Sequence, residues 1–296
     1  MGSISNRVVT MSRLPPWIRS ARTTDREYGR VDALLSGLRL HTVCEGARCP
    51  NRLDCWNRGT ATLMILGDTC TRDCRFCAVP HGRPAGADAE EPARVARSAR
   101  ELGLRHVVVT SVTRDDLPDG GARAFAETVR ALRREMPGAS VEVLTPDFQG
   151  LESAIATVLE AGPDVFGHNV ETVRRLQPVV RPQAPYDRSL GVLRFAAAWR
   201  PDVAVKSGLM LGLGETDDEV RQTLRDLADA GCRLVSMGQY LAPTRAHARV
   251  ERYVTPGEFE RHAEVARGLG FAGVAAAPLV RSSYRADELL ATARRG

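Results

Sequence analysis

Six of the seven cysteines in this 296-residue chain lie between positions 44 and 77, in two sets of three. Cys70, Cys74 and Cys77 stand in GDTCTRDCRFCAV, spaced C-x3-C-x2-C. Three thiolates ligate three irons of a [4Fe–4S] cube and leave the fourth iron open. An open iron binds a small chelating molecule, as open catalytic metal sites do. Zinc is the bland alternative, but structural zinc takes four closed ligands and no fourth stands nearby. Cys44, Cys49 and Cys55 stand in HTVCEGARCPNRLDCW, spaced C-x4-C-x5-C. A second [4Fe–4S] cluster is the economical reading, since soft thiolates suit iron–sulfur, with a zinc knuckle as the alternative for this set taken alone. Cys232, alone after a helix-terminal glycine, reads as a small buried hydrophobe. A disulfide framework belongs to small secreted domains, not to a chain of this size.

The elements that position these thiols follow from hydrophobic periodicity. Short apolar runs predict strands at 62–67, 106–111, 141–146, 164–170, 203–211 and 234–241. Amphipathic stretches predict helices at 91–103, 121–136, 151–162, 187–199, 217–231 and 256–270. A further short helix is expected at 30–40, after an extended arm, and 41–59 reads as a loop. Six β-α units in a row imply parallel strands with right-handed crossovers, curled into an open, partial barrel. The second cysteine set then sits in the loop directly after the first strand. Polar residues gather at the strand ends: Thr110 and Ser111, Asn169 and Glu171, Lys206 and Ser207, Gln239. Barrels of this kind do their chemistry at that rim.

Of the 41 basic residues one is lysine, Lys206, and the rest are arginine. Arginine cannot replace a compact ammonium at a tight site, so Lys206 is a functional candidate; chance survival is the alternative. Asp115, Asp116 and Asp119 read either as a solvated turn or as part of the site. His41 and His168 read as structural before they read as ligands. Gly208, Gly212 and Gly214 mark a tight strand end and form no phosphate loop. The net charge of +5 is spread without a run of five basic residues, which argues against a nucleic-acid surface and leaves room for docking an acidic protein. No apolar run is long enough to span a membrane, and the first residues lack a secretory h-region, so a cytoplasmic location is the default expectation.

An aromatic before the last cysteine of the second set, here Phe76, resembles the pattern of radical S-adenosylmethionine enzymes. HTVCEGARCPN with DCW, TATLMILGDTCTRDCRFCAV, VVVTSVTRDDLPDGGA, EVLTPDFQG, HNVETV, KSGLMLGLGET, GQYLAPTRAH and PLVRSSYRA together resemble the lipoyl synthase family from Pro16 to Ala286. The resemblance implies a partial (β/α)6 barrel over 62–270, an N-terminal extension over 1–61 carrying the first cysteines, and a C-terminal segment over 271–296 whose loop and helix close over the mouth. It implies two [4Fe–4S] clusters and S-adenosylmethionine. A serine of RSSY completes the auxiliary set, with Ser283 favoured over Ser282. Phe76, Asn169, Glu171 and Lys206 become candidates for the S-adenosylmethionine site, and Arg281 a residue that steadies the cluster loop. No side chain acts as acid or base in this scheme, because cluster and radical carry the chemistry. The implied reaction inserts two sulfurs at C6 and C8 of a protein-bound octanoyl-lysine, using two S-adenosylmethionine and consuming the auxiliary cluster. The implied partners are the glycine cleavage H protein, E2 lipoyl domains, a flavodoxin- or ferredoxin-type electron donor and iron–sulfur carriers, with no nucleic acid and no membrane.

The departures from the family pattern are AAAP at 275–278 in place of Ser-Gly, FGHN in place of FNHN, and a short arm before Cys44. None touches a cysteine of either set. The rival readings are another two-cluster radical enzyme and a zinc-stabilised nucleic-acid binder.

Overall fold

A computed structural model describes residues 14–18 and 26–295. The expected N-terminal arm and the leader reading fall largely outside these residues. One sheet runs in the order β1 (His41–Thr42), β2 (Thr62–Ile65), β3 (His106–Ser111), β4 (Ser140–Leu144), β5 (Val165–Gly167), β6 (Ala204–Leu211), β7 (Leu234–Gln239) and β8 (Gly273–Ala276). From β2 to β8 every pairing is parallel, while β1 lies antiparallel against β2. The strands are buried on both faces, as parallel sheets require, and the two edge strands do not pair, so the barrel stays open.

Before the barrel come α1 (Arg26–Gly37), α2 (Val43–Gly46) and α3 (Arg52–Asn57). The crossovers are α4 (Glu91–Glu101), α5 (Ala122–Glu135), α6 (Glu152–Glu160), a short α7 (Gln177–Val180) before α8 (Tyr186–Trp199), then α9 (Asp217–Asp229) and α10 (Pro256–Gly268); α11 (Ala286–Arg295) ends the chain. Their sequences specify both a face and a start. In α5, Phe125, Val129 and Leu132 recur at helical spacing and are buried together. Thr216 and Glu219 form a capping box on α9, as do Thr255 and Glu258 on α10, which satisfies amides that have no partner within the helix.

The six expected β-α units are present. The structure adds β8, whose short alanine-rich run GVAA carries little strand signal, and β1, only two residues long. The 41–59 segment is not a plain loop, since α2 and α3 occupy much of it. Strand β5 stops at Gly167, so His168 and Asn169 belong to the turn that follows. The C-terminal segment divides in two: residues 280–283 line the mouth, whereas α11 packs at the opposite end. Leu289, Leu290 and Ala293 bury against Val165, Ala204 and Leu234, which sit at or near the starts of their strands. Burying each leucine contributes about 1.5–3 kcal/mol, so α11 plugs the barrel floor rather than covering its mouth.

Candidate active site at the barrel mouth

The loop after β2 carries Cys70, Cys74 and Cys77 and is held from several sides. Arg72, between the first two cysteines, is 2% exposed at its side chain and bonds Asp115 at 2.6 Å and Asp147 at 2.6 Å. Burial would raise the Asp147 carboxyl, but Arg72 outweighs it and holds the group at about 2. The backbone amides of Arg72 and Thr113 donate to Cys70 Sγ at 3.4 and 3.3 Å. His247 Nε2 lies 3.0 Å from the Cys77 carbonyl, and the Arg75 amide donates to Val180 O at 2.9 Å. Asp116 pairs with buried Arg114, and Asp119 accepts the Gly121 and Arg123 amides at the start of α5. The acidic trio is therefore scaffold.

Cys44, Cys49 and Cys55 come from α2, the turn after it, and α3. The Thr42 hydroxyl accepts the Glu45 amide to start α2, and β1 pins the turn to β2. The C-terminal loop closes this region: Asn51 Nδ2 donates to Leu279 O at 2.6 Å, and Tyr284 Oη donates to Asp54 at 3.0 Å. Cys49 lines the mouth and Cys55 lines a second cavity of about 260 Å³. Ser283 lines both. Cys44 is buried behind them.

The mouth is a cavity of about 460 Å³ lined by Cys70, Cys74 and Cys77 on one side and by Cys49, Ser282 and Ser283 on the other. Phe76, Asn169, Glu171 and Arg281 line it too, as do Thr110, Ser111 and Gln239. Glu171 holds a left-handed φ of 67°, fixed by bonds from its own amide to Gly208 O and from the Met210 amide to its carbonyl. Such strain in a non-glycine residue points to a functional position. Burial raises the Glu171 carboxyl despite nearby Arg181. Burial likewise lowers the Arg281 guanidinium, against the opposing pull of Cys49 and Glu171. Asn169 Nδ2 reaches both Glu171 (3.1 Å) and the Ser282 hydroxyl (2.7 Å), whereas Ser283 makes no side-chain hydrogen bond among the described residues. Met64, Val112, Leu144, Leu209 and Val280 form an apolar wall.

Lys206 departs from its expected place. Strand β6 continues to Leu211, so Lys206 lies near its start, 1% exposed and away from the mouth. Its ammonium is engaged by Glu142 and by the Ser282 carbonyl, each at 2.6 Å, and is not available to S-adenosylmethionine. His168 is structural: buried, bonded to Thr145 O and Ser189 Oγ, and lowered to about 4 by burial. Cys232 is buried in the main core, and burial raises its thiol. Arg181, which sequence reasoning missed, lines the mouth and donates to Asn169 O at 2.8 Å; RPQAP offered only a basic residue between turns.

The donor set fits iron–sulfur. Burial pushes Cys44 up to about 11, Cys55 to about 12, Cys74 to about 11 and Cys77 to about 12. Buried thiols of this kind are ionised by a cationic group that takes them as ligands. Within each set the neighbouring cysteines disfavour one another's ionisation, so the thiols stand close together.

The model of the radical SAM superfamily matches residues 64–227, and that of the N-terminal domain of lipoyl synthase matches residues 2–49. Lipoyl synthase of Rubrobacter xylanophilus is 55% identical over 282 residues, covering 95% of this chain and 88% of the relative. Lipoyl synthase of Symbiobacterium thermophilum is 56% identical over 283 residues, covering 96% and 88%. Among solved structures, a maturase of the [FeFe]-hydrogenase superposes with a TM-score of 0.58 at 17% identity over 71% of this chain and 50% of that one, a likeness of fold alone.

Proposed function

The chain belongs to the lipoyl synthase family within the radical SAM superfamily, and we propose that it inserts two sulfur atoms, at C6 and C8, into an octanoyl chain borne on a carrier-protein lysine. The observation that carries this reading is that Cys49 and all three of Cys70, Cys74 and Cys77 line the mouth cavity, while Ser283 lines both that cavity and the one lined by Cys55. A primary carbon radical reacts with whatever it touches, so radical source, target C–H and sulfur source must meet at near contact.

Cys70, Cys74 and Cys77 would hold a [4Fe–4S] cluster with one open iron, and S-adenosylmethionine on that iron supplies the hydrogen-abstracting radical. Phe76, Asn169 and Glu171, which line the mouth, would hold S-adenosylmethionine, and Arg181 donates to the Asn169 carbonyl. Cys44, Cys49, Cys55 and Ser283 would hold the second cluster, the source of the sulfur. Ser283 is favoured over Ser282 because the Ser282 hydroxyl is already bonded to Asn169. A hard hydroxyl is a poor iron–sulfur ligand, which suits a cluster that must open. Arg281 sits between Cys49 and Glu171, where it balances negative charge. The apolar wall takes the acyl chain and keeps water from the radical. Residues 1–61, 62–270 and 271–296 then act as auxiliary extension, radical barrel and closing segment.

The acceptors proposed are the glycine cleavage H protein and E2 lipoyl domains, with a flavodoxin- or ferredoxin-type electron donor and iron–sulfur carriers to restore the cluster. Exposed Arg48, Arg75, Arg83, Arg245 and Arg249, on or beside loops that line the mouth, support an acidic docking partner. Among the described residues no helix is long and apolar enough to cross a membrane.

The test is anaerobic reconstitution followed by reaction with an octanoyl-lysyl peptide. About eight irons per chain, two S-adenosylmethionine cleaved and a lipoyl product are expected. Methylthiolated or unchanged peptide, with cleavage intact, would reject this reading.

A further inference from the structure

Resting on that reading, we propose that Lys206 is a positioning residue for the auxiliary set, tying the barrel interior to the main chain of Ser282 so that Ser283 stands beside Cys55. Lys206 Nζ donates to Glu142 Oε1 and to the Ser282 carbonyl, each at 2.6 Å. Glu142, on β4, is 1% exposed, and its other oxygen lies 3.4 Å from His106 Nε2 on β3. The ammonium of β6 thus joins a carboxylate on β4, itself beside His106 of β3, to a loop 76 residues away in sequence.

Stability alone is a weak reason to keep such a group, because taking two charges out of water offsets most of their attraction. Geometry is the better reason. An ammonium is compact and directs its donors independently, so it serves a carboxylate and a carbonyl at once. A guanidinium is planar, longer and forked, and this chain uses arginine at every other basic position. The single lysine stands at a fully buried position where one group serves both acceptors.

The second polar group of Ser282 is held as well. Its hydroxyl exchanges bonds with Asn169 at 2.7 and 3.0 Å. Gly208 makes room for this contact, since a Cβ there would lie 2.9 Å from Asn169 Oδ1 and 3.0 Å from the Ser282 hydroxyl. With carbonyl and hydroxyl both engaged, Ser282 is a clamp. The next residue, Ser283, has no hydroxyl hydrogen bond among the described residues and lines both the mouth and the cavity lined by Cys55. Lys206 therefore acts through the Ser282 main chain, and touches the S-adenosylmethionine side only at second hand, through the Ser282 hydroxyl and Asn169.

The experiment compares the parent with Glu142→Gln/Lys206→Met, which removes both buried charges together, and with Lys206→Arg, which keeps the charge opposite Glu142. Iron content after anaerobic reconstitution, S-adenosylmethionine cleavage, and amide exchange over 281–284 in the metal-free chain are read in parallel. Both variants are expected to keep cleavage within about twofold of the parent, fall from about eight irons to about four, and exchange the 281–284 amides roughly tenfold faster or more. Full iron with unchanged exchange in either variant overturns the proposal. So does equal loss of iron from both sets, which would make Lys206 general scaffold. A parent that itself takes up only about four irons would instead defeat the two-cluster reading above, before any variant is compared.

Discussion

The two cysteine sets are held by opposite constructions. Cys70, Cys74 and Cys77 lie on one loop between β2 and α4, braced by Arg72 through the buried Asp147 and by backbone bonds to Thr113 and Val180. Cys44, Cys49 and Cys55 depend on chain ends that meet: Asn51 with Leu279, 228 residues apart, and Asp54 with Tyr284, 230 apart. The first arrangement is anchored in the barrel and the second is closed by a clasp. A cluster that cycles S-adenosylmethionine needs a fixed seat, whereas a cluster that yields sulfur needs a seat that opens. On the proposed reading, the difference in construction matches that difference in duty.

Selective damage is the way to break or sharpen this contrast. The largest effect is expected from Cys74→Ala: S-adenosylmethionine cleavage should fall to background while about four irons remain on the first set. Retained cleavage, measured as 5′-deoxyadenosine, would remove the assignment of this loop. Next comes Ser283→Ala, which should cleave S-adenosylmethionine but release no completed product; the same outcome from Ser282→Ala alone would transfer the ligand to the clamp residue. Arg72→Met leaves Asp147 buried without its main counter-charge and should cost about 3–5 kcal/mol in denaturant unfolding of the metal-free chain. A loss under about 1 kcal/mol would mean that Arg188, 3.3 Å from Asp147, suffices as a brace.

The anchored half should also respond to acid. His168 is held at about 4 in the folded chain, below its ordinary 6.5, so the unfolded chain binds a proton that the folded chain does not. Its contribution is whole above pH 6.5 and is lost as pH falls toward 4, at about 1.4 kcal/mol per pH unit. Unfolding at pH 7 and pH 5 should show that slope, and His168→Gln should flatten it; an unchanged slope in the variant would point elsewhere. The smallest effect is expected from Tyr284→Phe, which removes one clasp bond worth about 1 kcal/mol. A chelator should then strip iron from the first set faster than from the second, and equal rates would count against the clasp.

Much of this protein was legible in its residues. Cysteines a few positions apart on one loop must be neighbours, so their spacing alone identified both sets of thiols. Apolar periodicity located the six β-α units, because burial of a strand or a helix face is a local demand on composition. The depth of Lys206, the placement of α11 at the floor and the position of Ser283 on both the mouth and the Cys55 cavity were decided only by the tertiary structure. Each depends on sheet register or on bonds between segments far apart in the chain, and no local pattern of residues encodes how far a strand runs or which distant loop comes to rest against it.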